Sequence, residues 1–270
     1  MKQHLKFGSY LLAGMAGMAM LVPTARAQFA QTQDVTLFLG FRNAGANDYV
    51  VNIGTIGSYL AQGPGTINVS SYNASDLSTF MGGFNSLTLS VFGTQNSDEL
   101  ILSRARTTLG TQTTPWARGI SGLQGNVASK INSIGNEAQS YGESIPPAAN
   151  NTATAIVEPD SAFVGQPRFS YSEVIGSGGN FGGSFSGGNI EGTTGTSFSS
   201  GGTPLRLDLY DVVAGSGPST FVGFFDFNPN GTTTFTVVPE AGTLAAGVAL
   251  LMLFAATQRR RLQRAMGLTK

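Results

Sequence analysis

The 270-residue sequence contains no cysteine and a single histidine, His4. Without cysteine the chain forms no disulfide bond and carries no thiol nucleophile. His4 lies inside an N-terminal stretch with the pattern of a removable export signal, so we expect the mature chain to contain no histidine. A Ser-His-Asp triad and a zinc site built on histidine or cysteine are therefore excluded, because the side chains that they need are missing.

Charged residues are also few, at 11% of the chain, and they are unevenly distributed. Fifteen basic residues balance fifteen acidic ones over the whole sequence, but eight of the basic residues lie near its two ends. Between Gln28 and Val238 there remain seven basic and fourteen acidic residues, a net charge of −7. Because binding to phosphate backbones depends on clustered lysine and arginine, this acidic balance argues against a nucleic-acid partner.

The N-terminus predicts a secretory signal peptide over residues 1–27. The basic start MKQHLK precedes an apolar stretch over 7–22. A signal peptidase needs small residues just before its cut, and Ala25 and Ala27 supply them ahead of Gln28. An N-terminal membrane helix is the alternative, but the run is short, rich in glycine and methionine, and ended by a proline. We expect export through the Sec machinery and cleavage after Ala27.

Residues 28–238 have the pattern of a β-rich domain, in which short apolar runs are separated by Gly, Ser, Thr and Asn. DVTLFLGFR and YVVNIG flank the turn NAGAND and predict a hairpin over 34–53. The same pattern predicts a second hairpin (86–93 with 99–106), a half-buried strand with a charged outer face (204–213) and a third hairpin (220–227 with 232–238). The predicted fold class is mainly β: a single antiparallel β-sandwich or jelly-roll-like domain with one or two short helices.

Two segments have helical character. SDLSTFMGGF predicts a short helix with Ser75 as its cap. The longer segment 119–142 carries apolar residues three or four positions apart, which we expect to pack against the sheet: Ile120, Leu123, Val127, Ile131 and Ile134.

A glycine-rich segment covers 176–202, where eleven of 27 residues are glycine. Polar, glycine-rich chain buries little surface to offset the entropy of ordering. We interpret it as a long flexible segment within the β-rich domain. The regularly placed Phe181, Phe185 and Phe198 allow an alternative, in which short strands are joined by glycine-rich turns.

One segment, DFNPNG, resembles the start of a calcium loop. Asp226, Asn228 and Asn230 occupy positions 1, 3 and 5 of such a loop. Position 12 is Val238, where a bidentate glutamate is required, and no predicted helices flank the segment. A turn between two strands is therefore the favoured interpretation, and a calcium site is the weaker one.

Sugar-binding and sugar-cleaving sites have few candidate residues. Trp116 is the only tryptophan. An exposed tryptophan ring can stack on a sugar, but a single tryptophan is more often buried in the hydrophobic core. A glycosidase needs two carboxylates on either side of a bond. The candidate pairs, whose spacing does not predict convergence, are Asp98 with Glu99, Glu158 with Asp160, and Asp208 with Asp211. The sequence thus predicts no enzyme, no catalytic residue and no cofactor.

The C-terminal residues 239–270 predict a membrane-inserted segment. The 18 residues of 241–258 carry no charge, and as a helix they approach the roughly 30 Å thickness of the hydrocarbon core. Arginines behind the run stay on the cytoplasmic side and keep the preceding domain outside. Such a segment is either a permanent anchor or a handle that another protein removes.

The stretch VVPEAGTLAAGVALLMLFAATQRRR resembles a PEP-CTERM sorting signal, which combines a Pro-Glu-Pro-type motif, a transmembrane helix and an arginine cluster. Pro239 and Glu240 match the motif, and Ala241 departs from its usual second proline. The resemblance implies processing near Glu240 by an exosortase, a membrane enzyme of Gram-negative bacteria that handles proteins accompanying extracellular polysaccharide. The basic cluster is Arg259, Arg260 and Arg261.

The two ends of the β-rich domain are also similar to a group of PEP-CTERM proteins without an assigned activity. The residues that carry this similarity are DVTLFLGFRNAGANDYVVNIG and FVGFFDFNPNGTTTFTVVPE.

The sequence therefore predicts an exported, non-enzymatic protein of the cell surface or the biofilm matrix. Its expected partners are signal peptidase, the Sec machinery, an exosortase-type enzyme, the inner membrane during sorting, and extracellular polysaccharide. A lectin-like carbohydrate-binding module is the alternative, and a carboxylate-dependent glycosidase is a third candidate.

Overall fold

Antiparallel β-strands dominate the fold. The computed structural model describes residues 35–43, 48–96, 99–119, 121–142, 153–156 and 170–238. The predicted signal peptide and the predicted sorting segment lie outside these residues. Across the described ranges, no helix is long and apolar enough to cross a membrane.

The strands and helices alternate irregularly along the chain. The described strands are β1 (Thr36–Arg42), β2 (Asp48–Thr55), β3 (Gly65–Val69), β4 (Thr88–Asn96), β5 (Glu99–Ala105), β6 (Ala153–Ile156), β7 (Gly192–Thr193), β8 (Leu205–Val213), β9 (Thr220–Phe227) and β10 (Thr233–Val237). The described helices are α1 (Ile56–Leu60), α2 (Ala74–Met81), α3 (Ser121–Gly142) and α4 (Tyr171–Ile175), with a 3₁₀ turn at Phe198–Ser200.

Within the described residues the strands form one antiparallel sheet in the order β3-β10-β9-β8-β5-β4-β1-β2-β6, and β7 pairs with β4. The three predicted hairpins are confirmed as the pairs β1–β2, β4–β5 and β9–β10. The mainly β, antiparallel class is therefore confirmed. The expected sandwich or jelly roll is corrected, because the strands belong to a single continuous sheet.

This sheet curls strongly. β1 and β9 are separated by three strands, which would place them about 19 Å apart in a flat sheet with a strand spacing of about 4.8 Å. The rings of Phe41 on β1 and Phe227 on β9 nevertheless lie with their centroids 5.5 Å apart. Curvature closes the sheet around an inner core of aromatic rings: Phe41, Tyr59, Tyr72, Phe84, Phe198, Phe225, Phe227 and Phe235.

The outer face of the sheet carries a second core beneath α3 and α4. On α3, the buried residues Val127, Ile131 and Ile134 confirm that the predicted apolar stripe packs against the sheet. Ile120 and the side chain of Leu123 lie outside the described part. With apolar cores on both faces, the sheet is stabilised without disulfide bonds.

The short helix predicted near Ser75 is present as α2, but a different residue caps it. Asn73 accepts a hydrogen bond from the backbone N–H of Ser75 at 2.8 Å through its side-chain oxygen. Ser75 therefore lies inside the helix instead of at its cap. Asparagine and serine are comparable caps, so the pattern alone did not separate them.

The glycine-rich segment 176–202 crosses the sheet from its outer face to its inner face. Phe181 and Phe185 are buried in the outer core, whereas Phe198 stacks on Phe227 in the inner core. The chain passes where β4 and β5 diverge, and there β7 pairs with β4 at Thr88 and Leu89. The structure thus gives this segment a packed path between two cores, which corrects our expectation of a flexible loop.

Ser103 bridges the gap through which the segment passes. Its hydroxyl accepts from the backbone N–H of Val91 at 2.9 Å and donates to the carbonyl of Ile190 at 2.7 Å. A side chain thus supplies a link between β4, β5 and the crossing segment where the strands diverge.

Candidate functional site

The candidate site lies where two loop segments pair at one end of β8 and β9. Residues 116–119 run against residues 215–219 as a short antiparallel bridge, with Ala117 opposite Pro218. The N–H of Ser219 donates to the carbonyl of Trp116 at 2.7 Å. We call this region, together with Asp211, Glu99 and Gln124, the polar seam.

Several buried polar atoms in the polar seam have no hydrogen-bond partner within the protein. Native proteins pair most of their buried polar atoms, so each of these atoms can take a water or a small polar group as its partner. Within the described residues, five of the six such atoms belong here: Trp116 Nε1, Arg118 Nε, Gln124 Oε1, Asp211 Oδ1 and Ser219 Oγ.

Two carboxylates of the seam have raised pKa values. Burial raises the pKa of Glu99 to about 7, and the neighbouring charge of Asp211 adds to the effect. Burial also raises the pKa of Asp211 to about 6, against an opposing effect of the Arg118 guanidinium. Pairing Ile101 with Asp211 and Glu99 with Val213 places Glu99 and Asp211 diagonally on the same face of the sheet. Both carboxyl groups therefore keep their protons to a higher pH than ordinary acidic side chains.

The cleft at the seam is small. Its walls are Ala117, Gly119, Gln124, Val127, Ser184, Phe185 and Ser186, and its room for a water-sized molecule is about 10 Å³. That volume is close to the minimum for a single water. The geometry thus suits a water or a small polar group, and a sugar ring is too large for it.

The seam is a poor site for a metal cation. It brings together two carboxylates beside the Arg118 guanidinium, whereas calcium takes six to eight oxygen ligands. In the part of the chain that the structure describes, no three His, Cys, Asp or Glu side chains come together as a possible metal site.

Trp116 is part of the core and not a surface aromatic. It is 2% exposed, its ring meets that of Phe185 edge-on at 5.2 Å between centroids, and the Arg104 guanidinium lies 4.2 Å from its ring centre. Both of these contacts occupy the ring that a sugar would need. The weaker alternative, an exposed stacking platform at Trp116, is therefore wrong, and the core position that is more common for a single tryptophan is confirmed.

The calcium-like residues form the predicted hairpin turn. Both oxygens of Asp226 accept hydrogen bonds of 2.6 Å from Arg206. The Asn230 side-chain oxygen accepts from the hydroxyl of Thr232 at 2.7 Å, and the N–H of Asn228 donates to the Thr232 carbonyl at 2.8 Å. The side-chain oxygens of Asp226 and Asn230 are thus engaged within the turn and its flanking strands.

The candidate acid pair Asp208 and Asp211, whose spacing did not predict convergence, does not converge. The two residues are three apart on β8, and the unbroken pairing with β5 keeps the alternation, so they point to opposite faces. Asp208 is fully buried and binds Arg106 at 2.6 Å and the N–H of Thr113 at 2.7 Å. Of the charged outer face expected for this strand, Asp208 is therefore buried, whereas Arg206 is partly exposed. Glu158, Asp160 and Asp98 lie outside the described residues.

Sequence reasoning missed a buried polar network on the outer face. Glu191 accepts from Arg42 and, at 2.7 Å, from the hydroxyl of Tyr171, which lies 2.7 Å from the hydroxyl of Ser90. Burial is the largest effect and raises the pKa of Glu191 despite these partners. Arg42 and Glu191 are 149 positions apart, so no local pattern announced the contact.

Comparison with known proteins adds no relative. No protein-family model, curated protein or solved structure matches this chain. The sorting residues Pro239, Glu240, Ala241, Arg259, Arg260 and Arg261, and the cleavage residues Ala25, Ala27 and Gln28, lie outside the described part.

Proposed function

We propose that this chain is an exported, non-enzymatic protein of the cell surface or the biofilm matrix, delivered through its C-terminal sorting signal. The observation that carries the proposal is the pair of sequence signals at the two ends. An export signal precedes Gln28, and Pro239 with Glu240 precedes an uncharged run that ends in Arg259. Both signals independently direct the intervening domain to the outside.

The folded part supports a structural role. Asp208, Asp226 and Glu191 are each bound to an arginine from another segment of the chain, so these acids hold neighbouring segments together. The small cleft at the polar seam gives a polysaccharide chain no enclosed binding site. Contact with polysaccharide is proposed instead at the acidic, hydrated surface, with the domain acting as a rigid body whose two cores hold it together.

The test is surface exposure in the bacterium that produces the protein. Intact cells are treated with a protease, and the domain is followed with an antibody against residues 28–238. We expect the wild-type domain to be digested on intact cells. Protection from the protease, together with activity of a cytosolic reporter fused to the domain, would contradict the proposal.

A matched pair of variants separates sorting from export. Glu240→Ala removes the acid of the motif, and Thr243→Ala changes a polar residue just beyond the motif. We expect the Glu240→Ala protein to stay in the inner-membrane fraction and the Thr243→Ala protein to reach the outer surface. Equal distribution of both variants would show that the motif does not direct sorting.

A further inference from the structure

The strand β3 forms an edge of the sheet and is unusually open to pairing. Among the described strands, β3 pairs only with β10. Gly65, Thr66 and Asn68 are exposed, and Ile67 is partly exposed. One side of the strand therefore presents its N–H and C=O groups to whatever can pair with them.

Within its own five residues, β3 lacks three of the features by which proteins protect an edge: lysine, proline and a bulge. Lysine, proline, bulges or a covering element normally prevent edge-to-edge pairing. The strand GTINV contains neither lysine nor proline. Its register with β10 also runs from Gly65 to Val69 without a shift, so no bulge twists it away.

β3 and its partner β10 carry no charge, and the charged residue that follows across the sheet, Asp226 on β9, is paired with Arg206. No charged residue occurs between Tyr49 and Ser75, nor between Phe227 and Pro239, which together cover β3 and β10. The stretch 28–238 as a whole carries seven basic and fourteen acidic residues. Two copies of this acidic domain repel each other over much of their surface, and this edge lets them meet without opposing like charges.

β3 is also complementary to itself. In an antiparallel pair of two copies centred on Ile67, each Ile67 lies opposite the other, and each Thr66 lies opposite the partner's Asn68. Apolar cross-strand pairs and hydroxyl–amide pairs both stabilise a sheet. Such a contact repeats the same patch on both subunits, as a two-fold interface requires.

From these observations we propose that β3 is a self-association edge through which two copies of the chain join their sheets. The five residues of β3 span only about 17 Å at 3.4 Å per residue. The interface is therefore small, and the association depends on protein concentration. The proposal goes beyond the proposed function and does not depend on the sorting signal.

The absence of cysteine provides a direct test by cross-linking. Ile67→Cys is introduced into the full chain, which is purified in mild detergent and oxidised. Opposed residues of paired strands lie within the distance that a disulfide spans. We expect covalent dimers of Ile67→Cys and none of Asn126→Cys, which places a thiol on the exposed side of α3. Equal cross-linking of both variants would overturn the proposal.

Charge variants test the register of the proposed strand pair. They also show whether a loss of association comes from misfolding, because both variants change the same two positions. Thr66→Lys with Asn68→Lys places like charges opposite each other across the interface, whereas Thr66→Lys with Asn68→Glu places opposite charges there. In sedimentation velocity we expect the wild type and the Lys/Glu variant to reach about twice the monomer mass as concentration rises, and the Lys/Lys variant to remain a monomer. Asn126→Lys with Ser129→Lys on α3 is the control and is expected to associate like the wild type.

Other occupants of the edge are distinguished by the same proteins. Association that all variants share arises elsewhere, for example between membrane segments, and contradicts the proposal. A wild-type protein that stays monomeric but loses retention on a polysaccharide column when Thr66 and Asn68 are both replaced by lysine also contradicts it, because the edge then binds glycan.

Discussion

The ring of Phe198 lies parallel to the ring of Phe227, with 5.6 Å between centroids and 6° between planes. Phe198 comes from the glycine-rich crossing segment and Phe227 from β9. The contact anchors the far end of that segment in the inner core, while Phe181 anchors its other end in the outer core. A segment with little secondary structure is thus held on both faces of one sheet.

Replacing the anchor should destabilise the whole domain. Phe198→Ala removes a ring that is 4% exposed, and the cavity and lost burial should cost about 3–5 kcal/mol. Urea unfolding of the wild type and the variant measures the difference, with Ser199→Ala, an exposed neighbour, as the control. A loss below about 1 kcal/mol would mean that the segment contributes little to the core.

The contact between Gly40 and Tyr171 should tolerate no side chain. A Cβ at position 40 would lie 2.7 Å from the ring of Tyr171, so Gly40→Ala forces the ring or strand β1 to move. We expect a loss of about 1–3 kcal/mol in the free energy of unfolding. Gly110→Ala, which meets no atom within 4 Å, is the matched control and should cost nothing measurable. Equal effects of the two substitutions would disprove the close approach.

Two neighbouring ion pairs should differ in strength because they differ in burial. The side chains of Arg106 and Asp208 are 8% and 0% exposed, whereas those of Arg206 and Asp226 are 23% and 14% exposed. Asp208→Ala leaves a buried guanidinium unpaired and should cost about 3–5 kcal/mol. Asp226→Ala should cost about 1 kcal/mol or less. Thermal unfolding of both variants measures the order, and a larger loss for Asp226→Ala would contradict it.

The carboxylates of the polar seam should make stability fall as pH rises. Their pKa values rise on folding, from 4.5 to about 7 for Glu99 and from 3.8 to about 6 for Asp211. The folded chain then binds more protons than the unfolded chain between these values, so the contribution of these two groups to stability is fully present below about pH 4 and is lost as the pH rises through about 6 to 7.

Neutral variants isolate this contribution. We expect Glu99→Gln with Asp211→Asn to match the wild type in melting temperature near pH 4 and to exceed it at pH 8, because only the wild type must bury negative charge there. Glu173→Gln, an exposed carboxylate on α4, should show no such gain. A gain in melting temperature that is equal at both pH values would show that folding does not change the pKa values of these two groups.

Local patterns predicted the elements, and distant contacts decided their arrangement. Alternation in DVTLFLGFR and TFVGFFDF predicted β1 and β9, and the spacing of Val127, Ile131 and Ile134 predicted α3. The curl was not predictable from these patterns, since it depends on Phe41 and Phe227 meeting across three intervening strands. β3 was missed because its alternation rests on only two apolar residues, Ile67 and Val69, a pattern too short to stand out from the surrounding polar chain.

The candidate site was less predictable than the fold. Alternation pointed Asp208 to solvent, but the chain around Arg106 and Thr113 covers it. Trp116 gave no local sign of burial, which follows from Phe185 and Arg104 in separate segments. The side chains that contact a buried polar residue come from remote parts of the chain, so the periodicity within one helix or strand does not predict them.

The intact mass of the protein recovered from the cell surface tests the central claim most directly. Export and sorting predict a polypeptide that begins at Gln28 and ends near Glu240, without the uncharged run over 241–258 and without the arginine cluster. A mass that includes residues 1–27 would contradict export by a cleaved signal, and a mass that extends to Lys270 would show a permanent anchor in place of a removed sorting signal.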